Sequence, residues 1–575
     1  MVETVRIDLL IVGMGAAAEM AALYAHDANP NLKILIATKA LRGKGGCSRM
    51  VQGGFNVVLH PMDSHEKHFM DTLKGGQYIN NQDLAYTLVT EATGTIKEME
   101  TRFGCFFDRN ADGTIHQKPF AGQSYDRTVH KGDLTGIEIM SRLTEQVIKR
   151  NIPVLEETRA VELLLDESGR EVTGALLFDM RRGSFLVAEA AATLVATGGG
   201  PTQYRFHAPG PEKSVDGLGM LYRAGAAMMD MEMVQFHPTG LIIPGSVVAG
   251  ALLEEGLRGA GAHLFNGEGK RYMLEYAPDV AERATRDVVS RSSYTEMTSG
   301  RACPEGGVYI QASHLGPDFV LKNFPGMAER CRQFGYDLAN GRVPISPTAH
   351  FVMGGAAVNL DGQASLERLF VAGEDAGGVH GANRLGGNGI CESCVLGRQV
   401  GKALSKHLSN GHRAFGKTRS GFVDETIDRV TQPMQRKSGP SPFDLRKRLQ
   451  ELNWNKVGVV RNGPDLSAAL AEIDAIAGEA AAMRVEGGRV YNMMYTAACD
   501  LLNMIDVSRM VATSGLAREE TRGAHSRSDF PKQRDDYGLF NSYLRRGSNG
   551  KPDIEKKPVS FSRKSLEECQ NYRKG

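Results

Sequence analysis

The sequence predicts an α/β protein of several domains, built around a parallel sheet. Three observations support this fold class. An apolar strand near the N-terminus runs into a glycine-rich turn, and a helical stretch and a second apolar strand follow it. The chain has 575 residues, 41% of them hydrophobic, which is too long for one hydrophobic core and gives enough apolar material for about two to four domains.

The first strand and its turn indicate a nucleotide site. Residues 7–12 (IDLLIV) have the length of a buried strand and lead into Gly13-Met14-Gly15-Ala16-Ala17-Ala18, then an alanine-rich stretch and a second strand at 32–37 (LKILIA). In such a βαβ unit a pyrophosphate lies on the helix N-terminus. We expect Gly13 to make the tight turn, Gly15 to let the backbone approach phosphates, and Ala18 to allow close helix–strand packing.

Two further features refine this prediction. Thr38-Lys39 stands where NAD enzymes carry an acidic residue, and no second Gly-x-Gly-x-x-Gly follows a strand, so no separate nicotinamide domain is expected. A later strand, at 192–196, runs into Thr197-Gly198-Gly199-Gly200, a second glycine-rich turn suited to a nucleotide.

Composition excludes several classes of protein. Lys and Arg number 68 against 67 Asp and Glu, a balance that argues against a nucleic-acid binder. No apolar stretch reaches the roughly 18–20 residues that span a bilayer, and the N-terminus does not resemble a signal peptide. The eight cysteines are scattered, as reduced thiols would be. We expect no metal site, and interpret Cys391 and Cys394 as buried thiols at a helix start.

Further motifs follow in a fixed order along residues 5–540. They are Gln52-Gly53-Gly54, Thr135-Gly136, Asp230 to Gly240 (DMEMVQFHPTG), Glu255 to Gly259 (EGLRG), Arg286 to Arg291 (RDVVSR), His350 to Gly355 (HFVMGG), Gly373-Glu374, His380 to Asn388 (HGANRLGGN), and Arg522 to His525 with Asp529 to Pro531. In this order they resemble the flavoprotein subunit of succinate dehydrogenase and fumarate reductase, a family to which L-aspartate oxidase is more distantly related.

The resemblance implies an architecture. A Rossmann-like FAD-binding domain is expected from residues 1–240 and 350–415, with an α+β capping domain inserted at 241–349. A helical domain at 425–540 would follow a polar linker at about 416–442. Residues 541–575 hold nine Lys and Arg against four Asp and Glu, and are expected to form a solvated basic tail.

The resemblance also implies the chemistry: succinate and fumarate are interconverted by hydride transfer through flavin N5. Arg286 would be the proton donor, with Glu255 and Arg258 relaying protons to it. A dianionic substrate needs cations and hydrogen-bond donors, and the residues implied for substrate binding are His237, His350, Arg384, Phe120 and Glu254. Taken singly, His237 fits a turn histidine and Arg286-Asp287 an ordinary surface ion pair.

The cofactor implied is FAD. Its predicted contacts are Gly13, Gly15, Ala18, Lys39, Cys47, Gln52, Gly53, Gly54, Thr197, Gly198, Gly199, Asp216, Glu374 and Asn388. Members of the family that work in complexes carry, at the position of Cys47, a histidine bonded to the flavin. We therefore expect non-covalent FAD, and a thioether to Cys47 remains open.

Two more positions depart from related patterns. Glu254 stands where the family usually has Thr or Ser, and a second anion there would repel a dianion unless protonated or turned away, which leaves the exact substrate open. Phe120 stands where aspartate oxidases carry a glutamate, so aspartate oxidase is disfavoured.

The resemblance finally implies partners. The sequence lacks the cysteine spacing of an iron–sulfur cluster, so electrons would pass to an iron–sulfur subunit, which membrane-anchor subunits would hold in turn. The chain would be cytoplasmic, held at the inner face of the membrane only through those partners. Two alternatives stay open: a freestanding enzyme acting on fumarate or a related polycarboxylate, and a non-catalytic FAD electron-transfer component.

Overall fold

The computed structural model describes residues 2–210, 212–246, 248–409 and 413–572. The strands are β1 (Glu3–Val12), β2 (Ile34–Ala37), β3 (Phe55–Asn56), β4 (Gln117–Lys118), β5 (Thr128–Val129), β6 (Val154–Leu155), β7 (Thr158–Leu165), β8 (Val172–Asp179), β9 (Ser184–Val195), β10 (Met228–Met229), β11 (Val234–Leu241), β12 (His263–Phe265), β13 (Val308–Gln311), β14 (Arg342–Val352), β15 (Gly355–Ala356), β16 (Leu369–Val371), β17 (Phe540–Arg546) and β18 (Pro552–Pro558). The α-helices are α1 (Ala16–Ala28), α2 (His65–Gly75), α3 (Gln82–Thr101), α4 (Thr135–Lys149), α5 (Asp216–Arg223), α6 (Glu255–Gly259), α7 (Met273–Tyr276), α8 (Arg286–Glu296), α9 (Pro317–Asn323), α10 (Pro325–Gln333), α11 (Asn388–Ser409), α12 (Phe422–Gln435), α13 (Pro442–Lys456), α14 (Gly463–Ala481), α15 (Met493–Ala517) and α16 (Leu566–Asn571). Of the helices in these ranges, none has both the length and the apolar character that crossing a bilayer requires.

A seven-stranded sheet forms the core of the protein. Its strands lie in the order β6-β2-β1-β9-β8-β7, with β16 paired to β9. β1 pairs in parallel with β2 and β9, and β16 is parallel to β9. The apolar runs at 7–12 and 32–37 thus both contribute parallel strands, and the predicted α/β class is confirmed. The sheet as a whole is mixed, because β8 is antiparallel to both β9 and β7. The ends of β1 and β9 meet at the same sheet edge, which brings the two glycine-rich turns together.

Helix α1 packs on this sheet against the late helix α11, and the packing depends on small residues. A Cβ placed on Gly397 would lie 2.6 Å from the carbonyl oxygen of Ala17, and one on Gly401 would lie 2.5 Å from that of Ala21. Because the backbones approach so closely, a larger residue at either glycine would force the helices apart. At the start of α11, Cys391 and Cys394 are fully buried, as predicted.

The substrate-side part of the protein is a four-stranded antiparallel sheet in the order β11-β14-β13-β12, covered by α6 to α10. Two neighbouring strands of this sheet, β11 at its edge and β14 beside it, contain residues 240 and 349, next to the ends that the sequence predicted for the capping domain. Val234 pairs with Val352 and His237 with Thr348. This register brings His237 and His350 side by side at the base of the cap.

The C-terminal part is helical, with one correction to the prediction. The helical domain expected at 425–540 contains α13, α14 and α15. The polar linker expected at 416–442 instead contains helix α12, whose Thr426, Val430 and Pro433 are buried. Pro433 lies in the last turn of α12, where it leaves most of the helix intact.

The expectation of a solvated tail at 541–575 is wrong. β17 and β18 form a hairpin in which β17 also pairs with β10, so the hairpin belongs to a four-stranded sheet. Phe540, Asn541, Ser542 and Leu544 are buried in β17, whereas β18 is mostly exposed. The positive charge of the segment lies chiefly on exposed positions of the two strands.

Candidate active site

One cavity of about 800 Å³ connects the glycine-rich turns with the capping sheet. Most of the predicted site residues line it: Gly13, Gly15, Lys39, Cys47, Gln52, Gly53, Gly54, Phe120, Thr197, Gly198, Asp216, His237, Glu254, Glu255, Arg286, His350, Glu374 and Arg384. The cavity reaches both glycine-rich turns and the cap, as a dinucleotide with a substrate beside it would require.

The predicted residues outside the cavity wall are Ala18, Gly199, Asn388 and Arg258. Ala18 is buried within α1. Gly199 lies against Glu374, whose Oε1 would be 2.6 Å from a Cβ on that glycine. Asn388 is buried and accepts a 2.7 Å hydrogen bond from Asn56. These three residues support the wall from behind.

The glycine-rich turn forms the nucleotide end of the cavity. Gly13 has a φ of 109°, and a Cβ on it would lie 2.2 Å from the carbonyl oxygen of Ala196, so only glycine fits there. Helix α1 begins at Ala16, and its N-cap residue, Gly15, provides no side chain to cap it. The helix N-terminus therefore presents backbone N–H groups toward the cavity, which is a favourable place for phosphate.

Lys39, at the end of β2, pairs with Asp216 at 2.5 Å. Asp216 also accepts a 2.8 Å bond from Arg159. Burial alone would raise the pKa of Asp216, but Lys39 and Arg159 outweigh it and hold that pKa well below its usual range. Asp216 is therefore an ionised acceptor at this end of the cavity.

Lys213 is a wall residue that the sequence analysis missed. Its ammonium group donates to the carbonyl oxygen of Thr197 and lies close to Cys47 and Glu374. Burial lowers the pKa of Lys213, but the neighbouring thiol and carboxyl groups raise it overall. No motif marks this lysine, and its position depends on the fold of the loop before α5.

Two acidic groups near Lys213, the carboxyl of Glu374 and the thiol of Cys47, have raised pKa values. Burial raises the pKa of Glu374 to about 7, although its Oε1 accepts a 3.0 Å bond from the Val352 N–H. Burial also raises the pKa of the Cys47 thiol to about 12. Cys47 is thus a neutral thiol at physiological pH, and a neutral thiol is a poor nucleophile.

At the other end of the cavity, Arg286 and Glu255 form a buried ion pair. Arg286 donates to Glu255 Oε2 from Nε at 2.8 Å and from Nη2 at 2.6 Å. Nη2 of Arg258 lies 3.7 Å from the other oxygen, Oε1, of the same carboxylate. Although burial opposes ionisation, the two arginines lower the pKa of Glu255, which is therefore an anion between two cations.

Gln235 joins the two arginines that face the cavity. Its Oε1 accepts a 3.0 Å bond from Arg286 Nη1 and a 3.1 Å bond from Arg384 Nη2. Gln235 lies within the motif at 230–240, but the sequence predicts no role for it. Burial, with Arg286 nearby, lowers the pKa of Arg384 to about 9.

His237 and His350 complete the wall, with their ring centroids 5.4 Å apart. Burial and the neighbouring arginines lower the pKa of both imidazoles well below the usual value, so both are neutral. The Thr239 N–H donates to Nδ1 of His237 at 3.3 Å. Thr239 Oγ1 lies 3.1 Å from the same nitrogen. Thr239 therefore engages Nδ1, and Nε2 is the ring nitrogen left to face a substrate.

Glu254 lines the cavity rather than turning away from it, and the ammonium group of a nearby lysine compensates its negative charge. Lys118, at the end of β4, donates to Glu254 Oε1 at 2.8 Å. Lys118 and Glu254 are 136 residues apart in the chain, so no local pattern in the sequence indicates that they form a pair. The repulsion expected between Glu254 and an anionic substrate is thus partly offset by this ammonium group.

The comparisons with known proteins bear directly on this arrangement. Residues 8–390 match the family model described as "FAD binding domain", and residues 446–571 match "Fumarate reductase flavoprotein C-term". The chain belongs to the succinate dehydrogenase/fumarate reductase flavoprotein family. Its cofactor is FAD, and it is an FAD-dependent oxidoreductase of the succinate dehydrogenase/fumarate reductase type.

Similar family members cover nearly the whole chain. A chain of the fumarate reductase (CoM/CoB) of Methanothermobacter marburgensis is 36% identical over 93% of this chain and 96% of its own length. The fumarate reductase flavoprotein subunit of Haemophilus influenzae is 30% identical, with 98% and 95% covered. Among solved structures, a mutant chain of Escherichia coli quinol fumarate reductase has a TM-score of 0.91 at 28% identity, covering 98% of both chains. Sdh1 of Mycobacterium smegmatis in complex with UQ1 has a TM-score of 0.89 at 32% identity, covering 98% and 96%.

Membership of the family confirms the predicted fold class, the cofactor and the enzyme class. The glycine-rich turn, the uncapped N-terminus of α1 and the continuous cavity all suit FAD. The roles of individual site residues stay predictions, and they are taken up next.

Proposed function

We propose that this chain is the flavoprotein subunit of an enzyme that interconverts succinate and fumarate, with Arg286 as the proton donor and acceptor. The observation that carries the proposal is the placement of Arg286 on the cavity wall, bonded to Glu255 on one side and to Gln235 on the other. The relatives named as fumarate reductase and succinate dehydrogenase flavoprotein subunits support it.

Substrate binding is assigned to the donors on this wall. Arg384 offers a planar pair of N–H groups that matches a carboxylate, and His237 presents a neutral imidazole. His350 lies beside them. Because these groups are buried, their hydrogen bonds to a carboxylate are stronger than they would be in water, and they would fix the orientation of the substrate.

The proton pathway follows from the Arg286 contacts. The hydride at one carbon of the substrate double bond would come from, or pass to, bound FAD. Arg286 donates a proton to the other carbon. Glu255, through Oε2, then relays a proton to Nη2 of Arg286. Arg258, 3.7 Å from Glu255, continues the path away from the cavity. The cap over the site would exclude water and so keep this proton transfer directional.

Replacing Arg286 tests this assignment. Arg286→Ala and Arg286→Lys are expected to lose fumarate-dependent oxidation of reduced viologen, while the flavin absorbance of the purified protein stays that of the wild type. Retained flavin shows that the variant has folded. Full activity in Arg286→Ala would refute the assignment of the proton to this residue.

We propose that FAD is held without a covalent bond. The neutral state of the Cys47 thiol supports this, because thioether formation needs the thiolate. After acid precipitation, the flavin absorbance is expected in the supernatant for both the wild type and Cys47→Ala. A yellow pellet from the wild type that becomes colourless in Cys47→Ala would instead establish a thioether.

Electron exchange is assigned to a partner. Within the described ranges, no group of three or more His, Cys, Asp or Glu side chains could hold a metal ion. We propose an iron–sulfur subunit as the partner, held by membrane-anchor subunits, which would place the chain at the inner face of the membrane. The names of two relatives, a quinol fumarate reductase and an 8-methylmenaquinol:fumarate reductase, support a quinone-linked assembly. Purification of a tagged chain from its own cells, followed by iron analysis, separates this assembly from a freestanding enzyme.

A further inference from the structure

Lys213 is a cation on the cavity wall to which the proposed mechanism assigns no role. It lies in the loop before α5 and lines the cavity beside Gly198, where a Cβ would be 3.1 Å from Lys213 Nζ. Burial lowers the pKa of Lys213, but the surrounding thiol and carboxyl groups raise it overall, so the side chain is charged at physiological pH. A positive charge is therefore present on this part of the cavity wall.

The ammonium group of Lys213 keeps most of its hydrogen-bonding capacity. It has three N–H donors, one of which donates to the carbonyl oxygen of Thr197. Within the described part of the chain it makes no other hydrogen bond and no ion pair, although Glu374 and Asp375 are near enough to raise its pKa. Two N–H donors thus remain for a group bound in the cavity.

The other lysines on the described wall, Lys39 and Lys44, differ from Lys213 in their surroundings. Lys39 is paired with Asp216 at 2.5 Å, so its charge is already balanced. Lys44 is exposed, and water and salt screen its charge. Lys213 combines a place on the wall with a charge that no ion pair in the described ranges balances.

Lys213 lies beside the turn that leads into α1. Gly13 of that turn packs closely on Thr197, because a Cβ on Gly13 would be 3.0 Å from the Thr197 Cα atom. Thr197 is also the residue whose carbonyl oxygen accepts the hydrogen bond from Lys213. The glycine-rich turn and the ammonium group therefore contact the same residue.

The first turn of α1 is connected to Lys213 through a second segment. The Ala16 N–H donates to Ser48 Oγ at 3.2 Å, and Ser48 lines the cavity. Cys47, which precedes Ser48, is close enough to Lys213 for the ammonium charge to oppose the rise in its thiol pKa. The N-terminus of α1, Ser48 and Lys213 therefore lie around one part of the cavity.

This part of the cavity suits the pyrophosphate of FAD, which bears a negative charge on each of its phosphate groups. A helix N-terminus provides only about half an elementary charge of the opposite sign. In a site closed off from water, the remaining negative charge has a high energy unless a cation balances it. Lys213 is placed to supply that cation.

We propose that Lys213 binds the pyrophosphate of FAD together with the N–H groups at the start of α1. Its ammonium group adds a full positive charge to the partial charge of the helix, and its two remaining N–H groups donate to phosphate oxygens. Lys213 thus holds the cofactor by charge, without a covalent bond. The proposal depends on FAD as the cofactor and is independent of the acid on which the enzyme acts.

The test measures how tightly the full-length protein binds FAD and ADP, which share the pyrophosphate. All proteins carry Cys47→Ala, so that no thioether can retain the flavin, and FAD is removed by dialysis against bromide. In Lys213→Met, Kd for FAD and Kd for ADP are both expected to rise at least about tenfold, as for the loss of a hydrogen bond to a charged group. FAD binding is followed by the quenching of flavin fluorescence, and ADP binding by competition with FAD.

A redox titration distinguishes a contact with phosphate from a contact with the flavin ring. The pyrophosphate has the same charge in oxidised and reduced FAD. The midpoint potential of the FAD-saturated Lys213→Met protein is therefore expected to equal that of its parent. A cation beside the flavin ring would instead stabilise the negatively charged reduced flavin, and its removal would lower the midpoint potential.

Two further variants are the controls. Lys213→Arg keeps the positive charge and the N–H donors, so it should retain most of the affinity for FAD and ADP. Lys551→Met, which breaks an exposed pair with Asp474, should leave both Kd values unchanged.

Three results would overturn the proposal. The first is an unchanged Kd for FAD in Lys213→Met, and the second is weaker FAD binding with a lowered midpoint potential and unchanged ADP binding. The third is an equal loss of affinity in Lys213→Arg and Lys213→Met with a lowered Tm of both apoproteins, which would mean that Lys213 only supports the turn at Thr197. None of these measurements requires turnover of fumarate, so the proposed function is tested separately.

Discussion

Replacing Glu255 with glutamine removes the one negative charge between Arg286 and Arg258. The Arg286–Glu255 contact is 2.6 Å, and both side chains are almost completely buried. With the charge centres about 4 Å apart and an effective dielectric constant near 20, the Coulomb energy of the pair is about 4 kcal/mol. The amide retains part of the hydrogen bonding, so we expect a loss of about 3 kcal/mol of transition-state stabilisation, or roughly 100-fold in kcat.

The assay is oxidation of reduced viologen by fumarate over a range of pH. General acid–base groups typically contribute about 10²- to 10⁴-fold, and the expected loss lies within that range. Glu425→Gln is the matched control, because Glu425 forms an exposed 2.6 Å pair with Arg419. Glu255→Asp should restore part of the rate. A Glu255→Gln variant with wild-type kcat and flavin content would refute the proton relay.

Three further predictions concern charge and packing. Because burial lowers the pKa of Arg384 to about 9, its positive charge is lost above that pH, and KM for fumarate is expected to rise about tenfold per pH unit there. An unchanged KM at pH 10 would contradict the role of Arg384 in substrate binding. Leu544→Ala is expected to lower the free energy of unfolding by about 2–4 kcal/mol in urea denaturation, and Ile554→Ala on exposed β18 by less than about 1 kcal/mol. Equally small effects of the two substitutions would mean that the hairpin does not pack against the rest of the protein. Burial raises the pKa of Asp230 to about 7, so the contribution of its neutral carboxyl group to stability is present below about pH 4 and is lost as the pH rises through 7. The Tm of the wild type should therefore fall over that range, and the Tm of Asp230→Asn should fall less. Equal slopes of Tm against pH for the two proteins would contradict the raised pKa of Asp230.

Local patterns were sufficient to predict much of the fold. The strand–turn–helix unit at Gly13 depends on contacts between neighbours in sequence, and it formed as predicted. The hairpin of β17 and β18 was missed because the positive charge of residues 541–575 was interpreted as that of a solvated tail. Helix α12 was missed because the polar segment at about 416–442 was interpreted as a linker.

Contacts between distant segments could not be read from the sequence. Arg286 and Glu255 were expected together only because the motif order resembles a known family. Lys118 and Lys213 lie in no motif, and their partners are set by where whole strands and loops pack. Gln235 was visible within a motif, but its bridge between two arginines becomes apparent only when β11 is seen beside them. The sequence therefore predicts the site residues that lie in motifs better than it predicts the contacts that those residues make.

The contact between Ala17 and Gly397 has a consequence for biosynthesis. Helix α1 leaves the ribosome well before α11, the helix against which it packs, which is completed only near residue 409. At about 5–20 residues per second, the early sheet must wait on the order of 20–80 seconds for this partner. The strands of the capping sheet come from residues 234–352 and can pair sooner. Loading of FAD is therefore expected late, after both halves of its binding surface have been synthesised.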